Sequence, residues 1–125
     1  MSFRLAFEKE RPETTKLQMR SSSEILYVSK IPIISDANIV NATVERGILR
    51  PILIVTLTLE GRKRLSETTA SNIESRLAII VDGNLISAPT IRQRIDSNQF
   101  TINTDRFSES DLNALAARIS AAVKR

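Results

Sequence analysis

The chain has 125 residues, of which 42% are hydrophobic, and its 18 lysines and arginines outnumber 14 acidic residues, giving a formal net charge of +4. This length is typical of one domain with its own core, so we expect residues 1–125 to form one. The absence of histidine and cysteine excludes disulfides, thiol nucleophiles, the usual triad base and the preferred zinc ligands. No apolar run approaches the ~20 residues that cross a bilayer, so we expect no membrane insertion by this chain.

The first forty residues are predicted to contain two strands separated by a loop. Apolar residues alternate with others over residues 2–7, which is the period of a half-buried strand. This segment lacks the apolar core of a secretory signal peptide. Residues 8–24 are mostly charged or polar, which predicts a flexible loop or linker. A second strand is expected at 25–29, and residues 35–38 are predicted to form a short capped helical turn.

The middle of the chain predicts a hairpin followed by a helix. Residues 41–45 and 52–58 are predicted to form paired strands. Thr58 is the expected N-cap of a helix over 59–75. Four side chains of that helix lie at a spacing that would face a sheet: Leu65, Thr68, Thr69 and Ile73.

An Asp-Gly pair marks a second hairpin. The apolar run at 77–81 ends at Asp82 and Gly83, which supply the positive φ angles of a two-residue primed turn, and a return strand starts at residue 85. We therefore interpret both turn residues as structural and predict no catalytic residue. Beyond this hairpin, residues 91–95 and 99–103 are predicted to form a further short strand pair.

The chain closes with an amphipathic helix over 108–123. Ser108 is the expected N-cap, and Asp111 at the third helical position is close to a capping box. The apolar stripe of this helix is Leu112, Leu115, Ala116, Ile119 and Val123. Hairpins combined with two long helices predict an α+β fold, in which an antiparallel sheet is packed by two main α-helices.

Cationic residues are the only candidates for a charged ligand site. Arg92 and Arg94 are predicted to project from one strand face and, with residues 62–64, to line one surface. A solvated sheet face is the simpler interpretation. No glycine-rich phosphate loop or interleaved aromatic pattern accompanies these cations, so we expect no nucleic-acid partner, no cofactor and no metal.

Three segments carry a resemblance to a known family. They are Leu-Glu-Gly at 59–61, Arg-Leu-Ala-Ile-Ile-Val-Asp-Gly at 76–83 and Ser-Ala-Pro-Thr-Ile at 87–91, followed by a closing helix that starts Phe-Ser-Glu-Ser-Asp-Leu. Together they resemble the head subdomain of the first periplasmic domain of SecD and SecDF, which are protein-export membrane proteins. The chain departs from that pattern at 95–99, where the family is glycine-rich, and it contains nothing similar to the family's membrane helices.

The resemblance implies a non-enzymatic module that binds unfolded polypeptide, assists export on the periplasmic side and has translocon components as partners. Binding at an exposed strand edge or groove is the implied mechanism. The residues expected to contribute are Ser87, Ala88, Pro89, Arg92 and Arg94. The simpler interpretation of the first three is a turn whose small side chains fit under a helix. An alternative stays open, namely a free-standing binding or regulatory protein that uses this fold for a specific partner unrelated to export.

Overall fold

The computed structural model describes residues 1–19, 22–46, 51–102 and 108–123. These residues form eight strands and two helices, in the order β1 Ser2–Phe7, β2 Thr14–Gln18, β3 Ile25–Ser29, β4 Ile39–Arg46, β5 Pro51–Leu57, α1 Leu59–Ala70, β6 Arg76–Val81, β7 Asn84–Ser87, β8 Gln99–Ile102 and α2 Glu109–Val123. A 3-10 turn, Asp36–Asn38, precedes β4.

The strands form two antiparallel sheets. One has five strands in the order β2-β3-β1-β6-β7, and the other has three in the order β4-β5-β8. In the larger sheet β1 pairs with both β3 and β6, with Phe3 opposite Ile79. The predicted α+β class with two packing helices is confirmed, with two sheets in place of one.

The main core lies where the two sheets and the helices meet. Phe3 of β1 is fully buried, and its ring centroid is 4.9 Å from that of Phe100 in β8, so the two sheets are in contact there. Helix α2 packs chiefly against β4 and β5. The predicted apolar stripe of α2 is confirmed, because Leu112, Leu115 and Ile119 are buried and Ala116 and Val123 pack against the same core.

A second, smaller core covers the opposite face of the five-stranded sheet. Its buried members come mainly from four of the five strands and from their ends: Ala6, Met19, Leu26, Val28, Ala78, Ile80, Leu85 and Ala88. Met19 forms a bridge with Leu85, which joins the end of β2 to β7. The sheet therefore curls until its first and last strands meet at one end.

Local predictions at turns and caps are confirmed. Asp82 and Gly83 have φ angles of 51° and 79° between β6 and β7, as a primed turn requires. Thr58 caps α1 by accepting a hydrogen bond from the Gly61 amide at 3.1 Å. Ser108 and Asp111 exchange two hydrogen bonds at the start of α2, each 3.1 Å long. Short polar side chains form hydrogen bonds with nearby backbone groups, and for this reason the sequence predicts these element boundaries.

Three predictions about element bounds are wrong. Residues 14–18, predicted as part of the 8–24 loop, form β2. Helix α1 ends at Ala70, five residues before the predicted end, and Ile73 is 43% exposed and does not face the sheet. Residues 91–95 are not a strand, and β8 pairs with β5 instead. The predicted strand end at residue 103 lies outside the described residues.

Candidate functional site

A groove of about 610 Å³ lies on the curled outer face of the five-stranded sheet. The inner strands β1, β3 and β6 contribute Arg4, Val28 and Ile80, together with Ser2 and Ser29. Thr15 and Leu17 contribute from the edge strand β2, and Asp82 with Gly83 from the β6–β7 turn. The groove therefore runs between one edge of the sheet and the hairpin turn on the far side.

Strand register explains why these side chains share one face. Residues directly opposite each other in an antiparallel pair lie on the same face, and Val28 is opposite both Thr15 in β2 and Ala6 in β1. Arg4 is two residues from Ala6 along β1, so alternation returns it to that face. A charged arginine is thus placed among side chains of the second core.

The edge of β2 presents unpaired backbone groups beside the groove. The Glu13 carbonyl accepts a hydrogen bond from the Lys30 amide at 3.0 Å, just after β3. The Met19 amide donates to the Glu24 carbonyl at 2.7 Å, just before β3. Every second residue between Glu13 and Met19 also pairs with β3, so Thr14, Lys16 and Gln18 direct their N–H and C=O groups the other way. Gln18 adjoins the Met19–Leu85 bridge, which leaves Thr14 and Lys16 facing outward beyond it. Within the described residues no hydrogen bond to these outward groups is formed.

The Arg4 guanidinium is held in place from one side. Its Nη1 donates to the carbonyl oxygens of Ser29 at 3.2 Å and Lys30 at 2.6 Å, and its Nε donates to Ser2 Oγ at 3.0 Å. The other terminal nitrogen, Nη2, has no hydrogen-bond partner in the described part of the chain. Arg4 therefore keeps donors available at the groove.

The acidic side chains at the groove have cationic partners. Asp82 Oδ2 is 3.7 Å from Arg118 Nη1 of α2, and Asp36 Oδ1 is 2.7 Å from the Met1 amine. Neither Arg4 nor Lys30, which also lines the groove, forms an ion pair with any described residue. The uncompensated charge of the groove is therefore positive.

The segment from Ser87 to Pro89 has mainly structural contacts. Ser87 is half-buried at the end of β7, and Ala88 is 5% exposed. Because Ala88 belongs to the second core, it packs against the sheet and not under a helix as expected. Pro89 is exposed, and its carbonyl accepts a hydrogen bond from the Leu77 amide at 2.8 Å.

Arg92 and Arg94 lie on the segment between β7 and β8, which is not a strand, so the predicted shared strand face is not formed. Both are exposed. Arg94 Nε donates to Ser66 Oγ of α1 at 2.5 Å, and the Ile95 amide donates to the buried Thr69 Oγ1 at 2.9 Å. Arg92 forms no bond or ion pair with another described residue. None of the residues predicted at 87–94 lines the groove.

Arg76 lies at the end of the curled sheet where Met19 meets Leu85, because the Glu24 that it binds also accepts the Met19 amide. Its terminal nitrogens donate to the two Glu24 carboxylate oxygens at 3.1 and 3.0 Å, and its Nε donates to the Ala88 carbonyl. These hydrogen bonds to Glu24 raise the pKa of the Arg76 guanidinium above its ordinary value, although partial burial opposes them. Arg76 therefore ties β6 to the start of β3 and to the chain after β7.

The described residues contain no group of three or more aspartate or glutamate side chains arranged to hold a metal ion. None of their helices is long and apolar enough to cross a membrane.

These observations define an α+β fold with a groove beside one edge of its five-stranded sheet. Residues 13–122 match the family model described as the SecDF P1 head subdomain. The chain therefore belongs to that family, and the resemblance drawn from its sequence is confirmed.

Individual relatives agree with this assignment. The chain is 33% identical over 105 residues to the protein translocase subunit SecD of Magnetococcus marinus. This alignment covers 83% of this chain and 20% of the relative. It is 31% identical over 94 residues to SecDF of Brucella abortus, covering 66% of this chain and 12% of the relative. The chain thus spans a fifth or less of these relatives.

A solved structure shows the same fold. It is described as "Structure and function of a membrane component SecDF that enhances protein export", and it aligns with a TM-score of 0.68 at 23% identity. The alignment covers 98% of this chain and 60% of that chain.

Proposed function

We propose that this domain is a non-enzymatic module that binds unfolded polypeptide and assists protein export across the membrane. Family membership supports the export role, since relatives are named protein translocase subunits. The module acts on the extracytoplasmic side, where a periplasmic head would stand, and its partners are unfolded chains and components of the translocon.

The observation that carries this proposal is the edge of β2 beside the groove. Thr14 and Lys16 offer backbone donors and acceptors that point away from β3, next to apolar contacts from Leu17 and Ile80. An extended polypeptide can add a strand at such an edge through main-chain hydrogen bonds. Main-chain pairing is nearly independent of sequence, which suits a factor that must accept many different proteins.

The expected affinity is low. Two outward residues can form up to four main-chain hydrogen bonds, each contributing about 0.5–1.5 kcal/mol net. Ordering an unfolded segment and losing its translational freedom offset much of this gain. We therefore expect dissociation constants of about 10 μM or weaker, which allow a passing chain to be released.

The experiment compares Lys16→Pro with Lys16→Ala for binding of a labelled unfolded polypeptide. Proline removes an outward N–H that β2 does not use for pairing with β3, and proline is tolerated on such edge positions. Alanine keeps the N–H and removes only the side chain. We expect Lys16→Pro to lose most binding at an unchanged melting temperature, while Lys16→Ala binds like the wild type. Equal binding by both variants, or no binding by the wild type, contradicts the proposal.

The residues predicted from the sequence provide a second proposed surface on the same module. Ser87, Ala88 and Pro89 follow the other edge of the five-stranded sheet, and Arg92 and Arg94 extend it along α1. Exposure of Arg92 and Pro89 supports a contact there. Arg92→Glu combined with Arg94→Glu tests this surface, since a weaker polypeptide complex is expected only if these cations take part.

A further inference from the structure

We infer that Arg4 makes the groove a binding site for a carboxylate of the bound polypeptide. The groove would then prefer extended segments that place an acidic side chain among apolar ones, and it would disfavour basic segments. This inference rests on the proposed polypeptide binding, since it specifies which chains the same groove selects.

The position of the Arg4 guanidinium supports a preorganised anion site. Three hydrogen bonds, to Ser2 Oγ and to two carbonyl oxygens at the end of β3, fix one side of the planar group. A guanidinium carries five N–H donors in one plane, and three of the Arg4 donors are used in these bonds, which leaves the two on Nη2. Because Nη2 is unused within the described residues, an incoming carboxylate meets donors whose orientation is already set.

The surroundings of Arg4 favour an acid over a neutral or basic side chain. Leu17, Val28 and Ile80 line the groove around it, and apolar neighbours lower the local dielectric and so strengthen a charged hydrogen bond. The acidic groups at the groove, Asp36 and Asp82, already lie beside cations. They therefore leave the positive charge of Arg4 available to a ligand.

Matched peptides test this inference on the whole chain. Three extended peptides of identical valine- and threonine-rich sequence carry Ala, Asp or Lys at one central position. Their binding to the wild type is compared with binding to Arg4→Gln and Arg46→Gln. Both variants lose one positive charge, but Arg46 is an exposed residue at the end of β4, outside the groove and the second proposed surface. Arg4→Lys keeps the charge and removes the planar group that holds the Nη2 donors in place.

The expected result is a charge preference that depends on Arg4 alone. We expect the wild type and Arg46→Gln to bind the Asp peptide about fivefold to tenfold tighter than the Ala peptide, and the Lys peptide weaker than both. Arg4→Gln should bind the Asp and Ala peptides equally, and Arg4→Lys should keep part of the difference. These comparisons are within one protein, so a small change in stability of a variant does not affect them.

Three outcomes overturn the inference, each in a different way. Equal affinity of the wild type for the Asp and Ala peptides refutes the carboxylate site and leaves the proposed polypeptide binding intact. Absence of binding to all three peptides refutes the proposed function and the inference with it. A charge preference that persists in Arg4→Gln also contradicts the assignment, because another cation then selects the acidic peptide.

Discussion

Substituting alanine for Gly61 tests the closest packing contact of α1. A Cβ atom at this buried position would lie 2.9 Å from the Asn38 carbonyl oxygen, 3.0 Å from the Asn38 Cβ and 3.4 Å from Thr58 Oγ1. Contacts under 3.0 Å require a shift of one partner. Glycine is therefore needed here for close approach and not for an unusual φ angle.

The neighbours of Gly61 are not free to move. The Asn38 carbonyl accepts the Thr58 amide at 2.8 Å, and the buried Asn38 side chain accepts the Ser35 amide at 3.1 Å. Relief of the clash must therefore move α1 away and weaken the Thr58 cap, which contributes about 1 kcal/mol. Overpacking of this kind costs about 1–3 kcal/mol. The intrinsic gain of alanine over glycine in a helix, about 1 kcal/mol, offsets part of the cost.

We expect Gly61→Ala to lower the free energy of unfolding by about 1–2 kcal/mol and the melting temperature by about 4–8 °C. Urea unfolding followed by far-UV circular dichroism measures the first quantity. The control is Lys63→Ala, an exposed position of the same helix, which should change stability by less than about 0.5 kcal/mol. If Gly61→Ala is as stable as the wild type or more stable, helix propensity dominates and the contact with Asn38 is not as close as described.

The other predictions concern turns and charges. Gly83 has a φ of 79° with open space around it, so Gly83→Val should cost about 1–3 kcal/mol through backbone strain, whereas Gly83→Asn should be nearly neutral; equal melting temperatures would contradict the turn. Arg76→Met should cost about 1–3 kcal/mol by removing the bonds to Glu24. Because the raised pKa of Arg76 keeps its charge as pH rises, this difference should stay constant from neutral to mildly alkaline pH, and a decline there would argue against it. Single-stranded DNA should bind weakly and lose affinity steeply with salt; binding that survives physiological salt and disappears in Arg92→Glu plus Arg94→Glu, without polypeptide binding, refutes the proposed function.

Most of the fold could be predicted because strong local signals mark its boundaries. The Asp82-Gly83 turn, the Thr58 cap and the Ser108 cap are each explained by residues within a few positions of each other. The apolar stripe of α2 likewise needs only its own period. Long-range pairing has no such local signal, which is why the partner of β8 was assigned wrongly.

The groove could not be predicted, because its residues come from separate strands that lie side by side only in the folded sheet. Strand β2 reads Thr-Thr-Lys-Leu-Gln, and a polar edge strand with one apolar residue is hard to distinguish from a loop. Arg4 alternates with Phe3 and Leu5, so the sequence suggested a solvated face for it. Only the curl that joins Met19 to Leu85 buries Ala6 and turns that face into a groove.

Backbone amide hydrogen exchange, resolved by residue, tests the central claim most directly. Measured with and without an unfolded polypeptide, exchange should slow at Thr14 and Lys16, whose N–H groups point away from β3. Thr15 and Leu17, which already pair with β3, should change little. Protection at the two outward amides alone is the result that strand addition at β2 predicts. Unchanged exchange at both of them under saturating polypeptide, with new protection over residues 84–94, would contradict it.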